Sequence, residues 1–127
     1  MKDFDQWNDK KKEIERRTRL VLYKPGEVWW CSLGLNVGNE EDGKNENFER
    51  PVLIIAKFGE ENCIGVPLTS VPKDDRFHVP LNILDKNSRA IVSQIRFIST
   101  KRFIREMGTI TKQELRTVKD RLYSLIG

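Results

Sequence analysis

Short apolar blocks dominate the second half of the chain: PVLIIAKF, IGVPLTS, FHVPLNI and AIVSQIRFI are separated by the turn-prone stretches GEEN, PKDD and DKNS. Blocks of this length, rich in β-branched residues and bounded by turn formers, read as strands. Upstream, EVWWCSLGL, with Gly26 before it and Gly34 near its end, reads the same way, with the turn Lys24-Pro25-Gly26 leading in. Strands at this spacing, without alternating helices, predict a small antiparallel barrel. Period-two alternation points Trp29 and Trp30 to opposite faces, one into the core and the other toward solvent, a ligand or a second subunit.

Two segments carry a helical period instead. Phe4, Trp7, Ile14 and Leu20 are spaced by polar residues behind the candidate caps Asp3 and Asp5, which predicts an amphipathic helix over 3–19. At the other end, Thr111 and Glu114 form a capping-box signature, and Leu115, Val118, Leu122 and Leu125 make one apolar stripe. Between the first two strands, GLNVGNEEDGKNENFE (34–49) has no apolar period and reads as a long loop. The layout is therefore a helical extension over 1–22 followed by one domain over 23–127, α+β in class and mainly β.

Composition narrows the class. In 127 residues, 33% charged and 38% hydrophobic, there is room for one folded core, and no run approaches the roughly 20 apolar residues of a spanning helix. The N-terminus mixes acidic and basic residues without an apolar centre, so neither a secretory signal nor a transit peptide is expected, and the cytoplasm is. Cys31 and Cys63 sit in apolar surroundings and read as small buried hydrophobes, not as a disulfide. A net charge of +4 is compatible with a polyanionic partner. The basic cluster Lys10, Lys11, Lys12, Arg16, Arg17 and Arg19 reads as a solvated helix face or an RNA-facing surface. Cysteine and histidine spacing excludes a zinc finger, and no phosphate-binding glycine loop is present.

Several polar residues stand where chemistry can be done. Arg50 begins a strand beside Pro51, which fixes the backbone and aims a permanently charged fork away from the core; pairing with Glu49 is its plainer role. Such a fork can hold a phosphate and stabilise a five-coordinate phosphorus transition state. Thr69 and Ser70 end a strand, where their hydroxyls can meet a ligand oxygen or cap the turn. His78, the sole histidine, is a candidate acid or base, or a half-exposed strand residue. Gln94 and Arg96, two apart in one predicted strand, are expected to share a face and grip bases or phosphates, or to line solvent.

In order, KPGEVWWCSLG, a loop with NVGNE, FERPVLII, VPLTS, SQIRFIST and MGTITKQELRTVKDRL resemble the MazF/PemK family of toxin endoribonucleases, over about residues 23–126. The resemblance implies an SH3-like antiparallel barrel with a C-terminal helix. It also implies a homodimer whose groove takes single-stranded RNA and a cognate antitoxin that folds over that groove. The reaction implied needs no metal and no cofactor: the 2'-hydroxyl attacks the adjacent phosphorus, leaving a 2',3'-cyclic phosphate and a 5'-hydroxyl. Arg50 and Thr69 fall on the main catalytic positions. Ser70, His78, Gln94, Arg96, Trp30, Glu27, Asn36 and Gly38 fall on supporting or RNA-binding ones. Some relatives carry a carboxylate near the position of Gln94, working with an arginine and a histidine; the amide here departs from that scheme. The N-terminal helix and the acid-rich loop are further departures. Two other readings fit the same residues: a barrel of this family that binds RNA or protein without catalysis, and a different SH3-like barrel that recognises peptides through Trp29 or Trp30.

Overall fold

The computed structural model describes residues 21–33, 49–83 and 86–127; the predicted N-terminal helix, most of the loop, Asn36 and Gly38 lie outside them. Among the described residues, seven strands and one α-helix follow in order: β1 Glu27–Ser32, β2 Glu49–Phe58, β3 Asn62–Thr69, β4 His78–Ile83, β5 Lys86–Ile91, β6 Arg96–Ser99, β7 Phe103–Thr109 and α1 Lys112–Ile126. Every ladder is antiparallel. The strands run β4-β5-β3-β2-β1-β7, with β6 also on β3. Among the described residues no ladder joins β7 to β4, so the expected barrel is here an open sheet.

The turn before β1 forms because proline presets one φ and glycine supplies the positive one: Gly26 has φ +95, and Glu27 N–H donates to Lys24 O at 3.2 Å. Gly26 also donates to Ile54 O at 2.8 Å and accepts from Ile110 N–H at 2.9 Å, tying the turn to β2 and to the entry of α1. Another glycine sets the spacing of β2 and β3. A Cβ on Gly65 would stand 2.6 Å from Val52 Cγ1 and 2.9 Å from Leu53 O, an approach that only glycine permits.

The sheet is covered on both faces, which explains the continuous apolar runs in β2 and β3. One cluster contains Val28, Leu53, Val66, Leu68, Val79 and Ala90, and α1 closes it with Val118 and Leu122. The other contains Tyr23, Cys31, Val52, Ile54, Cys63, Ile98 and Phe103. Neither tryptophan is fully in the core: both are half-buried. Trp29 stacks on Phe103 with centroids 5.1 Å apart, whereas Trp30 carries the Arg105 guanidinium 5.2 Å above its ring.

AIVSQIRFI is not one strand. β5 and β6 run along the same edge of β3, but the 3-10 turn Val92–Gln94 is inserted between them. An odd insertion exchanges the two faces: Ala90 enters the first cluster and Ile98 the second. The expected shared face of Gln94 and Arg96 is thereby overturned, because Gln94 belongs to the turn and Arg96 to β6. β7, unread in the sequence, pairs among the described residues only with β1 and does so through two register shifts.

Candidate active site: a row of residues across the sheet

The register of the ladders aligns residues from five strands. Cys31 on β1 stands opposite Arg50 on β2. The β2–β3 ladder reaches Val52↔Pro67, and its register carried two residues further sets Arg50 opposite Thr69. Thr69 pairs with Arg89 on β5, and Arg89 with Pro80 on β4. Cross-strand partners share a face, so Arg50, Thr69 and Arg89 occupy one row of the sheet, with Thr69 on the strand between the two arginines. That face is the one of Cys31, Val52 and Cys63.

Arg50 departs from the expected surface position: it is 4% exposed, set in β2 with β1 alongside and Val52 next on the same face. Its neighbour Glu49 points to the opposite face and bridges to Arg105 at 3.1 Å. A guanidinium withdrawn from water exerts a stronger field on an incoming anion than a surface one does. Thr69 is 8% exposed, and its Oγ1 accepts the Val71 N–H at 3.1 Å. This is the turn-capping bond, and it leaves the hydroxyl proton available to donate. Ser70, immediately after β3, is exposed.

Arg96 lies opposite Gly65, on the same face and edge of β3 but four residues from Thr69, roughly 13 Å along the strand. Its charge reaches the buried sulfur of Cys31. Burial pushes the Cys31 thiol far up, Cys63 adds to the effect, and Arg96 opposes it. Gln94 is half-buried in the 3-10 turn. His78 sits on β4, two strands across from Thr69 and two residues along from the row, about 12 Å away, with Nδ1 2.6 Å from Asp75 Oδ1. That hydrogen bond is the main cause holding the Asp75 carboxyl below its usual range.

Two supporting candidates stand elsewhere. Glu27 is at the far end of β1, where its Oε1 accepts from the Trp29 indole at 2.9 Å and from Lys24 N–H at 3.2 Å, a structural engagement. Trp30 is on the face of Glu49 and Arg105, opposite to that of Arg50. Arg89 was missed in the sequence because nothing in KNSRAI marks it until the β3–β5 register is known. Among the described residues, no three of His, Cys, Asp and Glu converge as a metal cage. The groups on offer along the row are cations and a hydroxyl, suited to a phosphate.

Comparison with solved structures identifies the same architecture in several proteins. An endoribonuclease from mycobacterial species, solved in complex with its cognate antitoxin, is 16% identical with a TM-score of 0.66, covering 84% of this chain and 96% of that one. MazF from Deinococcus radiodurans is 20% identical with a TM-score of 0.67, covering 85% and 99%. A MazE-MazF structure from the same organism is 18% identical with a TM-score of 0.63, covering 85% and 98%. No curated protein sequence matches the chain. At these identities the likeness establishes the fold, while the sequence itself matches a family model over residues 24–126, nearly all of the described sheet and helix. The chain belongs to the PemK-like, MazF-like toxins of type II toxin-antitoxin systems.

Proposed function

We propose that this protein is a toxin that cleaves single-stranded RNA, with mRNA as its cellular target, by metal-independent attack of the 2'-hydroxyl on the adjacent phosphorus. The P–O5' bond breaks as the new P–O2' bond forms. The attacking hydroxyl releases a proton to solvent and the departing 5'-oxygen takes one up, so the products are a 2',3'-cyclic phosphate and a 5'-hydroxyl. The observation that carries this reading is the β2–β3 register, which continued two residues past Val52↔Pro67 sets Arg50 opposite Thr69 and so a permanent cation near a hydroxyl donor, where one phosphate can meet both. Arg50 stabilises the charge that grows on the phosphorane oxygens, and Thr69 donates to the same phosphate, with exposed Ser70 beside it. A guanidinium stays protonated in proteins and so does not serve as the base. His78, two strands across and two residues along from Thr69, about 12 Å away, is outside direct reach of the reacting proton in this arrangement.

The same reading takes the domain as 23–127 with an N-terminal extension over 1–22. It makes the chain one subunit of a cytoplasmic homodimer and gives it a cognate antitoxin as inhibitor; a structural relative has been solved in complex with its own cognate antitoxin.

The test is incubation of the full chain with a long unstructured RNA in EDTA, with the ends of any fragments mapped. Discrete cuts with cyclic phosphate ends are expected. Arg50→Ala and Arg50→Gln should lower kcat by about 10²- to 10³-fold, and Thr69→Val by a smaller factor, while Thr69→Ser retains activity. Folding of each variant is checked by its thermal midpoint. Undiminished cleavage by a folded Arg50→Gln protein would remove Arg50 from the chemistry.

A further inference from the structure

Arg89 combines three observations that no role in the fold accounts for. It is the cross-strand partner of Thr69, so its side chain leaves the sheet on the face of the proposed reaction. That side chain is only 17% exposed, and its Nε is buried with no hydrogen-bond partner. Its remaining contacts are long: Nη1 donates to Ser88 O at 3.4 Å, and Nη2 reaches Asp74 Oδ1 at 3.4 Å. Charge-assisted bonds of guanidinium to carboxylate normally lie near 2.7–2.9 Å, so both contacts are at the weak limit. The Asp74 side chain is 82% exposed and its carboxylate is free to leave. A guanidinium withdrawn from water, with one orphaned donor and one loosely held anion, is an incomplete anion site. Its β4 partner Pro80 has no carboxylate to offer, so on that side an anion must come from outside.

We propose that Arg89 is a second phosphate-binding residue of the RNA site. It takes the backbone phosphate next to the one that reacts between Arg50 and Thr69, and the inference rests on the RNA-cleavage reading above. The fork of Arg89 can bind the two non-bridging oxygens of a phosphodiester, satisfying Nε and one Nη together, with Asp74 displaced. Its role is to position the strand, so its removal acts on binding more than on the chemical step.

The experiment uses the full chain, a cleavable RNA for kinetics, and for binding a matched oligonucleotide with a 2'-deoxy substitution at the cut site, measured over a range of salt. Arg89→Met should weaken binding and raise KM by roughly tenfold, the size expected for loss of a charge-assisted hydrogen bond, with kcat changed by less than about threefold. The slope of log affinity against log salt should shrink by about 0.7, the single-strand value for one lost phosphate contact. Arg89→Lys, which keeps the charge but not the fork, should retain the slope and recover part of the affinity. Arg116→Met, an exposed charge on α1, serves as control and should leave the slope unchanged. The thermal midpoint of Arg89→Met should equal or exceed that of the unaltered protein, because a buried unpaired donor is removed. If Arg89→Met has unchanged affinity and slope, or loses no more than Arg116→Met, the assignment is overturned. If the unaltered protein binds RNA without cutting it and Arg89→Met still loses slope, the cleavage reading falls and Arg89 stands. If the unaltered protein neither binds nor cuts, both fall.

Discussion

A thiol gains nothing by ionising inside an apolar cluster, and both cysteines here lie fully buried among Val52, Ile54, Ile98 and Phe103. Burial pushes the Cys63 thiol up to about 12, and it pushes Cys31 up further still. Because both folded values lie above the unfolded value of about 8.5, the thiols contribute stability that is whole below that pH and lost as pH rises through the folded values. A disulfide-exchange reagent at pH 8 should therefore titrate no thiol in the native protein and two after denaturation; prompt native reaction of either would contradict the burial. As candidates, Arg50 and Thr69 were legible in the sequence because each stands near one end of a strand, beside a proline or a turn. Arg89 was not legible, because its meaning lies in the residue opposite it on another strand. The depth of Arg50 was also hidden, since a charged residue at a strand's start ordinarily faces water.

Elements bounded by strong local signals were read correctly. The α1 capping box is complete: Thr111 Oγ1 accepts from Glu114 N–H and Glu114 Oε1 from Thr111 N–H, both at 3.0 Å. Glu114 does more than its motif announces, because Oε2 accepts the Asn82 N–H at 3.0 Å and fastens the helix to β4. Burial acts to raise its pKa, but the hydrogen bonds from Asn82 and Thr111 together hold it below the usual range. A depressed folded value contributes stability above the unfolded pKa of about 4.3 and loses it as pH falls further. Glu114→Gln should cost about 1 kcal/mol at pH 7, measured by denaturant unfolding, with the difference closing by about pH 3. A gap that persisted in acid would mean that shape, not charge, matters there. Elements defined only by their partners were misread. The break between β5 and β6 is set by β3, and β7 exists because β1 offers it an edge; neither leaves a clean period in its own residues.

At the scale of the molecule, one sheet separates two apolar clusters, and only one of its faces carries the cation row. α1 closes the first cluster, while Tyr23, Trp29 and Phe103 close the second, with Tyr23 OH donating to Asn62 O at 2.9 Å. Net charge of +4 is modest, so the proposed attraction for RNA rests on where the cations stand: Arg50 and Arg89 flank Thr69, and Arg96 follows along the edge of β3. Such a surface reads phosphates, which DNA also has, whereas the proposed reaction needs the 2'-hydroxyl, which DNA lacks. An all-deoxy copy of a cleaved RNA should therefore remain intact and still compete for binding, with an inhibition constant within about tenfold of the RNA's affinity and a parallel dependence on salt. Cleavage of the deoxy strand would exclude the internal nucleophile. Failure to compete even at low salt would show that the 2'-hydroxyl is gripped in the ground state, and the row of guanidinium groups would then account for charge stabilisation but not for binding.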